Sequence, residues 1–383
     1  MTDVISFPGL GWELALNRVA FSIGDFYVYW YGILFAVAFL LGILYFHYRA
    51  KEFGIHPYDG LDVLLWAIVG GLVGARTYYV IFQWDMYKDD LMKIFAFREG
   101  GIAIYGGIIG AILVGYIACR VKKLPLLPML DVGLPALLLG QAIGRWGNFI
   151  NMEAFGTNTT LPWGMTSTTI QNYLTNMQAS LAEMGIMVDP ALPVHPTFFY
   201  ESLWDFIGFL VLAFVITRCR RYDGQVALWY MGWYGFGRAL VEGLRTDSLM
   251  WGAFRVSQVL GAALFVLAAV LLIVFQLKLK GGARPSYLKL YAQTEESKVR
   301  IAQTEENIAK EKQKKTAKKD SEANPEVTAE TAKDAVDEEL GAAGTEGFEE
   351  MKEEVEAEAQ AEAETEEIAA AEETQEEAGE EKA

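Results

Sequence analysis

Over its first 280 residues the chain alternates long apolar stretches with short polar breaks. The apolar stretches lie near residues 28–47, 61–82, 101–120, 126–144, 196–217, 225–243 and 254–277. Each approaches the roughly 20 residues that a helix needs to cross a bilayer. In hydrocarbon, a single segment satisfies its backbone polar groups only as a helix. The pattern therefore predicts an all-α polytopic membrane protein with about seven transmembrane helices. Basic clusters follow every second stretch: Arg49 and Lys51, then Arg120, Lys122 and Lys123, then Arg218, Arg220 and Arg221, then Lys278, Lys280 and Arg284. All four fall on one side, which the positive-inside rule assigns to the cytoplasm. The other side receives the N-terminus, an amphipathic stretch at 83–99 and the long connection 157–194, which has no Lys or Arg. That connection predicts a small extracytoplasmic head with a helix near 168–184, capped by Ser167 or Thr168. The N-terminal residues lack a basic segment followed by an apolar core, so no cleavable signal peptide is expected.

Beyond residue 300 the pattern dissolves. Residues 301–383 hold 28 acids against nine bases and one aromatic side chain, Phe348. Residues 1–300 hold 23 bases against 21 acids. The net charge of -17 thus belongs to the end of the chain. Such a composition buries too little apolar surface to offset its ordering entropy. We expect a membrane domain over 1–284 and a disordered, acidic, cytoplasmic tail over 285–383. The near-neutral body excludes a basic nucleic-acid binder. Two cysteines, Cys119 and Cys219, exclude a disulfide-stapled secreted domain and read as reduced packing residues.

Ionisable residues within spans are costly and mark functional sites. Arg76 follows a glycine run at 70–74. Arg145, Asn148, Asn151 and Glu153 lie in GRWGNFINMEAFG, residues 144–156. Arg238, Glu242 and Arg245 lie in YGFGRALVEGLR, residues 234–245, at the i, i+4, i+7 spacing of one helix face. They read either as buried ion pairs that lock helix packing or as an anionic ligand site. An excess of arginine over Glu153 and Glu242 favours the second, and arginine suits the planar, two-donor binding of phosphate. Residues 100–111, GGIAIYGGIIGA, suggest close helix contact or an unwound turn. Within them Tyr105 reads as an interfacial anchor or a site residue. His195 begins HPTFFYES, residues 195–202, and either caps structure in the head or touches substrate. The three histidines form no metal-ligand spacing, so neither a metal nor another cofactor is expected.

Residues 144–156 resemble the signature of the bacterial prolipoprotein diacylglyceryl transferase family at every fixed position. WYGILF at 30–35, GGLVGAR at 70–76, GGIAIYGG at 100–107, HPTFFYE at 195–201 and YGFGRALVEGLR resemble further elements of that family, in order. The resemblance covers about residues 20–277 and leaves out the tail. It implies transfer of the diacylglyceryl group of phosphatidylglycerol to the lipobox cysteine of a prolipoprotein, with release of glycerol-1-phosphate. It further implies that Arg145, Asn148, Asn151 and Glu153 hold the headgroup, that Tyr31 lines the site, and that Arg238, Glu242 and Arg245 face it. The implied setting is the bacterial plasma membrane and its lipids, with the N-terminus outside and the protein a monomer. Many members carry His where this chain has Tyr105. Tyrosine, with an ordinary pKa near 10, is a poor base, so orientation of substrate is the favoured role for Tyr105. The competing classes are a transporter for an anionic solute and a lipid transferase with another acceptor.

Overall fold

The structure is a computed structural model, and it describes residues 2–96, 100–252, 254–281, 285 and 287–323. The expected disorder of 324–383, the basic residue Arg284 and the last three positions of the 83–99 stretch lie outside the described residues. By packing, the chain divides into two units, Met1–Glu305 and Glu306–Ala383.

The first unit is a helical bundle with a head at one end. Its long helices are α1 (Trp30–Arg49), α2 (Pro57–Phe82), α3 (Ile104–Val121) and α4 (Leu126–Asn151). After the head come α6 (Thr197–Cys219), α7 (Gln225–Val241) and α8 (Val256–Lys280). Among the described residues, six helices are long and apolar enough to cross a membrane. The remaining expected span, 225–243, is α7, which has 17 residues and continues as a 3-10 turn over Glu242–Leu244. Many large apolar side chains of the bundle are exposed, for example Phe35, Trp66, Ile112 and Val266. This suits a surface solvated by lipid rather than water.

Helix α4 is central and packs on α1, α6 and α7. Its buried Asp131 accepts hydrogen bonds from the Gly224 and Ala227 amides, both at 2.8 Å, and so caps the start of α7. Helices α2 and α3 form a close pair. A Cβ on Gly74 would strike the Gly106 carbonyl, and one on Gly110 would strike the Gly70 carbonyl. Glycine is the side chain that permits this approach. The expected third span starts late, at Ile104, because Gly100 and Gly101 take φ of +85° and +76°.

The head brings together two parts of the sequence. Helix α5 (Thr168–Glu183) forms where expected, with Ser167 accepting from the Ile170 amide at 3.2 Å. The N-terminal residues, which carry no strand expectation, form two antiparallel hairpins: β1 (Thr2–Phe7) with β2 (Trp12–Asn17), and β3 (Val19–Ile23) with β4 (Phe26–Tyr29). Ser6 bridges Thr166, and Asp3 accepts from the Thr169 amide at 3.0 Å, tying β1 to the head. Ile5, Phe149, Phe155, Ile170, Leu174 and Phe198 join one core, so the head is anchored on the ends of α4 and α6.

At the opposite end, the body continues past residue 284. Leu288 and Tyr291 are buried, and the Tyr291 amide donates to Asp223 at 2.7 Å. Ser297 donates to the Gly54 carbonyl at 2.9 Å, Thr304 to Asp59 at 2.9 Å, and Lys51 pairs with Glu305 at 2.6 Å. Arg300 donates to the carbonyls of Lys122 and Lys123. Residues 288–305, which run into the first turns of α9 (Glu295–Ala323), therefore clasp three connections of the bundle: Tyr291 holds the one at Asp223, and α9 holds those at Gly54 and Lys122. The composition count misses this, since it averages a few buried side chains with a long acidic stretch.

Candidate active site

Three helices deliver the polar residues to one level, next to the head. Arg145 lies near the end of α4, Glu201 one turn into α6, and Arg238 near the end of α7. Glu201 is the hub. One carboxylate oxygen pairs with Arg145 and lies 3.5 Å from Arg238, while the other meets Arg245 at 2.9 Å. Arg238 also meets Glu242 at 2.7 Å, with the Glu242 side chain only 1% exposed. Arg245 grips Asp247 through two parallel bonds of 2.8 and 2.6 Å. Burial works against charge on Arg245, but Asp247 and Glu201 outweigh it and hold its pKa above the usual range. Burial likewise raises the Asp247 carboxyl, but Arg245 outweighs it and holds the pKa below the usual carboxylate range. Arg255 donates to the Arg245 carbonyl at 2.8 Å and to that of Glu242, fixing the turn that carries both.

The signature segment forms the other wing. Arg145 donates to Asn148 Oδ1 at 3.5 Å. Asn148 and Asn151 donate to Glu153 at 2.9 and 3.3 Å. Met152 caps α4 in the left-handed region at φ +56°, which turns Glu153 back toward the helix. Tyr31 lays its ring on Gly147, where a Cβ would collide with it. Tyr31, Asn151 and Glu153 line a cavity of about 760 Å³ together with Arg18 and Tyr173. Arg18 is fixed there by a 2.9 Å bond to the Asn151 carbonyl.

The structure brings Arg145, Asn148, Asn151, Glu153, Arg238, Glu242 and Arg245 into one connected network. The excess of arginine is not met. Arg145, Arg238 and Arg245 face Glu201, Glu242 and Asp247, and Glu153 adds a fourth acid to the network. Its capacity for an anion lies instead in geometry. Arg145 and Arg238 keep about a fifth of their side-chain surface open, against 9% for Arg245, and their forks are not filled by Glu201. Arg76 does not join them. It donates to the carbonyls of Lys93, Ile94, Gly100 and Gly101 at 2.5–2.8 Å and so staples the α2–α3 connection.

His195 sits in the head. Its ring meets the Tyr200 hydroxyl at 3.2 Å, and its backbone pairs with Thr157 and Gly156. Burial lowers its pKa. No bond joins it to the arginines among the described residues. Tyr105 lies in the first turn of α3, exposed, and makes no hydrogen bond to a described residue. Sequence reasoning missed Glu201, Asp205 and Asp247. Glu201 and Asp205 were signalled by the same rule that flagged the arginines, since both are acids inside the 196–217 apolar stretch at i, i+4 spacing.

Residues 18–274 match the family model described as prolipoprotein diacylglyceryl transferase. A relative in Finegoldia magna, named phosphatidylglycerol–prolipoprotein diacylglyceryl transferase, is 46% identical over 261 residues, covering 68% of this chain and 96% of its own. Relatives of the same name in Clostridioides difficile and Pediococcus pentosaceus are 44% and 42% identical over 245 and 276 residues, covering 90% and 95% of their own lengths. With a polar network assembled from the segments that carry the likeness, and with the match running through the whole bundle, the chain belongs to the prolipoprotein diacylglyceryl transferase family.

Proposed function

We propose that this chain transfers the diacylglyceryl group of phosphatidylglycerol to the lipobox cysteine of prolipoproteins, the first step of lipoprotein maturation. The observation that carries this reading is the convergence of Arg145 and Arg238 on Glu201, with both guanidinium groups partly open. Glu201 fixes their orientation, and the open N–H groups receive the lipid phosphate. The thiol gives up its proton, because thiolate is the nucleophile. Sulfur attacks the glycerol carbon that carries the phosphate, the carbon–oxygen bond breaks, and its electron pair leaves with glycerol-1-phosphate. Negative charge grows on the departing oxygen, where Arg145 and Arg238 stabilise it by preorganised charge. Arg245 and Glu242 hold that pair from behind. Asn148, Asn151, Glu153 and Tyr31 line the adjoining cavity and position the headgroup. Tyr105 orients the acceptor through its hydroxyl.

The basic connections support a topology with the clasped end in the cytoplasm of a bacterial cell and the head and arginines outside its plasma membrane. The protein works as a monomer. Membranes containing the protein, given phosphatidylglycerol labelled in its acyl chains and a lipobox peptide, should yield a labelled thioether peptide. A Cys→Ser peptide should yield none. Label reaching the Ser peptide equally, or no label reaching either, would overturn the reading.

A further inference from the structure

The transfer requires a group to take the thiol proton, and the network described so far has none to spare. Glu201, Glu242 and Asp247 are each engaged by arginine. Glu153 accepts from two asparagines. His195 is bound within the head. Asp205 differs. It is 5% exposed, yet its carboxyl makes no hydrogen bond or ion pair with any described residue. It lies four residues after Glu201 on the buried face of α6, so it sits about 6 Å further into the membrane, at 1.5 Å per residue.

The groups around it come from every helix packed there. From α4 comes Arg145; one turn deeper on the same helix, Gln141 bonds Tyr230 and leaves its buried side-chain oxygen without a hydrogen-bond partner. From α7 come Arg238 and the stacked pair Tyr230 and Tyr234, with ring centroids 5.9 Å apart. Glu201 lies above on the same helix, and Tyr45 of α1 lies beyond, against Phe209 at 5.5 Å. Three helices thus repeat at i, i+4: Gln141 and Arg145, Glu201 and Asp205, Tyr234 and Arg238. The upper layer is cationic and paired. The lower layer holds one unpaired carboxyl.

The bond to be broken has a matching direction. The phosphate sits in the upper layer, and the diacylglyceryl carbon lies on its membrane side, because the acyl chains extend that way. In-line displacement brings sulfur to the face of that carbon away from the phosphate oxygen. That face points to the lower layer. We propose that Asp205 is the general base for the lipobox thiol. An Asp205 carboxylate oxygen takes the S–H proton, and sulfur forms its bond to carbon. The carbon–oxygen pair departs on the phosphate, and the carboxyl then returns the proton to the phosphate monoester or to water. Asp205 lies beside Arg145 and Arg238, which keep the phosphate and the base in register.

This inference rests on the transferase reading, and the test separates the two. Initial rates of transfer are measured between pH 6 and 9.5 with purified full-length protein, phosphatidylglycerol vesicles and a lipobox peptide. Wild type must transfer lipid; absence of transfer would overturn the transferase reading and this inference with it. Asp205→Asn should lose about 100-fold or more at pH 7, within the range that general bases supply. It should then gain rate steeply toward pH 9, where a thiol of ordinary pKa near 8.5 ionises unaided. Its KM for phosphatidylglycerol should be unchanged. Asp205→Glu, which keeps the carboxylate, should retain a wild-type-like pH profile at reduced rate, and it serves as well if the Asn variant fails to assemble. An Asp205→Asn rate within threefold of wild type at pH 7 would overturn the proposal. So would a low rate that stays flat to pH 9, or an Asp205→Glu variant that follows the alkaline profile expected of Asn.

Discussion

Glu201→Gln removes one charge from the point where three arginines meet while keeping the side chain's size. The Glu201 side chain is 8% exposed, and those of Arg145, Arg238 and Arg245 are 21%, 19% and 9% exposed, so solvent screens little of the change. The amide retains one oxygen, enough to hold Arg245, but its NH2 then confronts Arg145 and Arg238. At least one charge-assisted bond is lost, about 1.5–3 kcal/mol. Breaking a buried pair by removing one partner costs about 3–5 kcal/mol. A loss near 3 kcal/mol, carried into the transition state because the phosphate arginines no longer hold their places, is about a 150-fold fall in rate. The assay is initial-rate transfer to a lipobox peptide, with thermal unfolding of the same detergent-purified sample. The melting temperature should fall by several degrees, at about 2–4 °C per kcal/mol for a body of this size. Glu201→Asp should fall between. A Gln variant that keeps more than about a third of wild-type turnover and melts as wild type would refute the role of Glu201 as hub, since the loss would then be under 1 kcal/mol.

Three further outcomes follow from named contacts. Truncation after Glu305 should leave transfer and melting unchanged, whereas truncation after Pro285 should lower the melting temperature, because Tyr291, Ser297 and Arg300 then leave their partners at Asp223, Gly54 and Lys122; thermal scans of both proteins decide it. His195 has a folded pKa below its unfolded value near 6.5, so the unfolded chain binds the extra proton, and stability present above about pH 6.5 is lost as pH falls through the folded value. Melting of wild type and His195→Gln across pH 5–7.5 should show a steeper acid loss in wild type; equal slopes would refute it. Tyr105→Phe should slow transfer about 10- to 150-fold, the cost of one hydrogen bond to a charged group, and keep the shape of the wild-type pH profile; strong recovery near pH 9 would make Tyr105 a base instead.

The helices were legible in the sequence because lipid imposes one strict rule, continuous apolar length, and because the glycine pairs of α2 and α3 and the Ser167 cap act locally. The site was legible as far as its residues share short segments. Arg145 with Glu153, and Arg238 with Arg245, could be grouped by spacing alone. Glu201 belongs to both groups only through packing of α4, α6 and α7, and no spacing rule spans the 44 residues between it and Arg245. The charge balance changed for the same reason. The N-terminal hairpins were missed because the first of them, at Ser6, finds its partner Thr166 far along the chain. The clasp was missed because buried Tyr291 and Ser297 are sparse among solvated neighbours.

The central claim is that Arg145 binds the departing phosphate through two planar donors rather than by charge alone. Turnover of Arg145→Lys at saturating phosphatidylglycerol tests it most directly, with folding checked by melting. Lysine keeps the charge and can still pair with Glu201, but it presents a point ammonium in place of the fork. The predicted result is a kcat lower by about 100-fold or more, equivalent to about 2.7 kcal/mol of transition-state stabilisation, with melting close to wild type. Near-normal turnover in that variant would contradict the account and leave Arg145 as a balancing charge for Glu201.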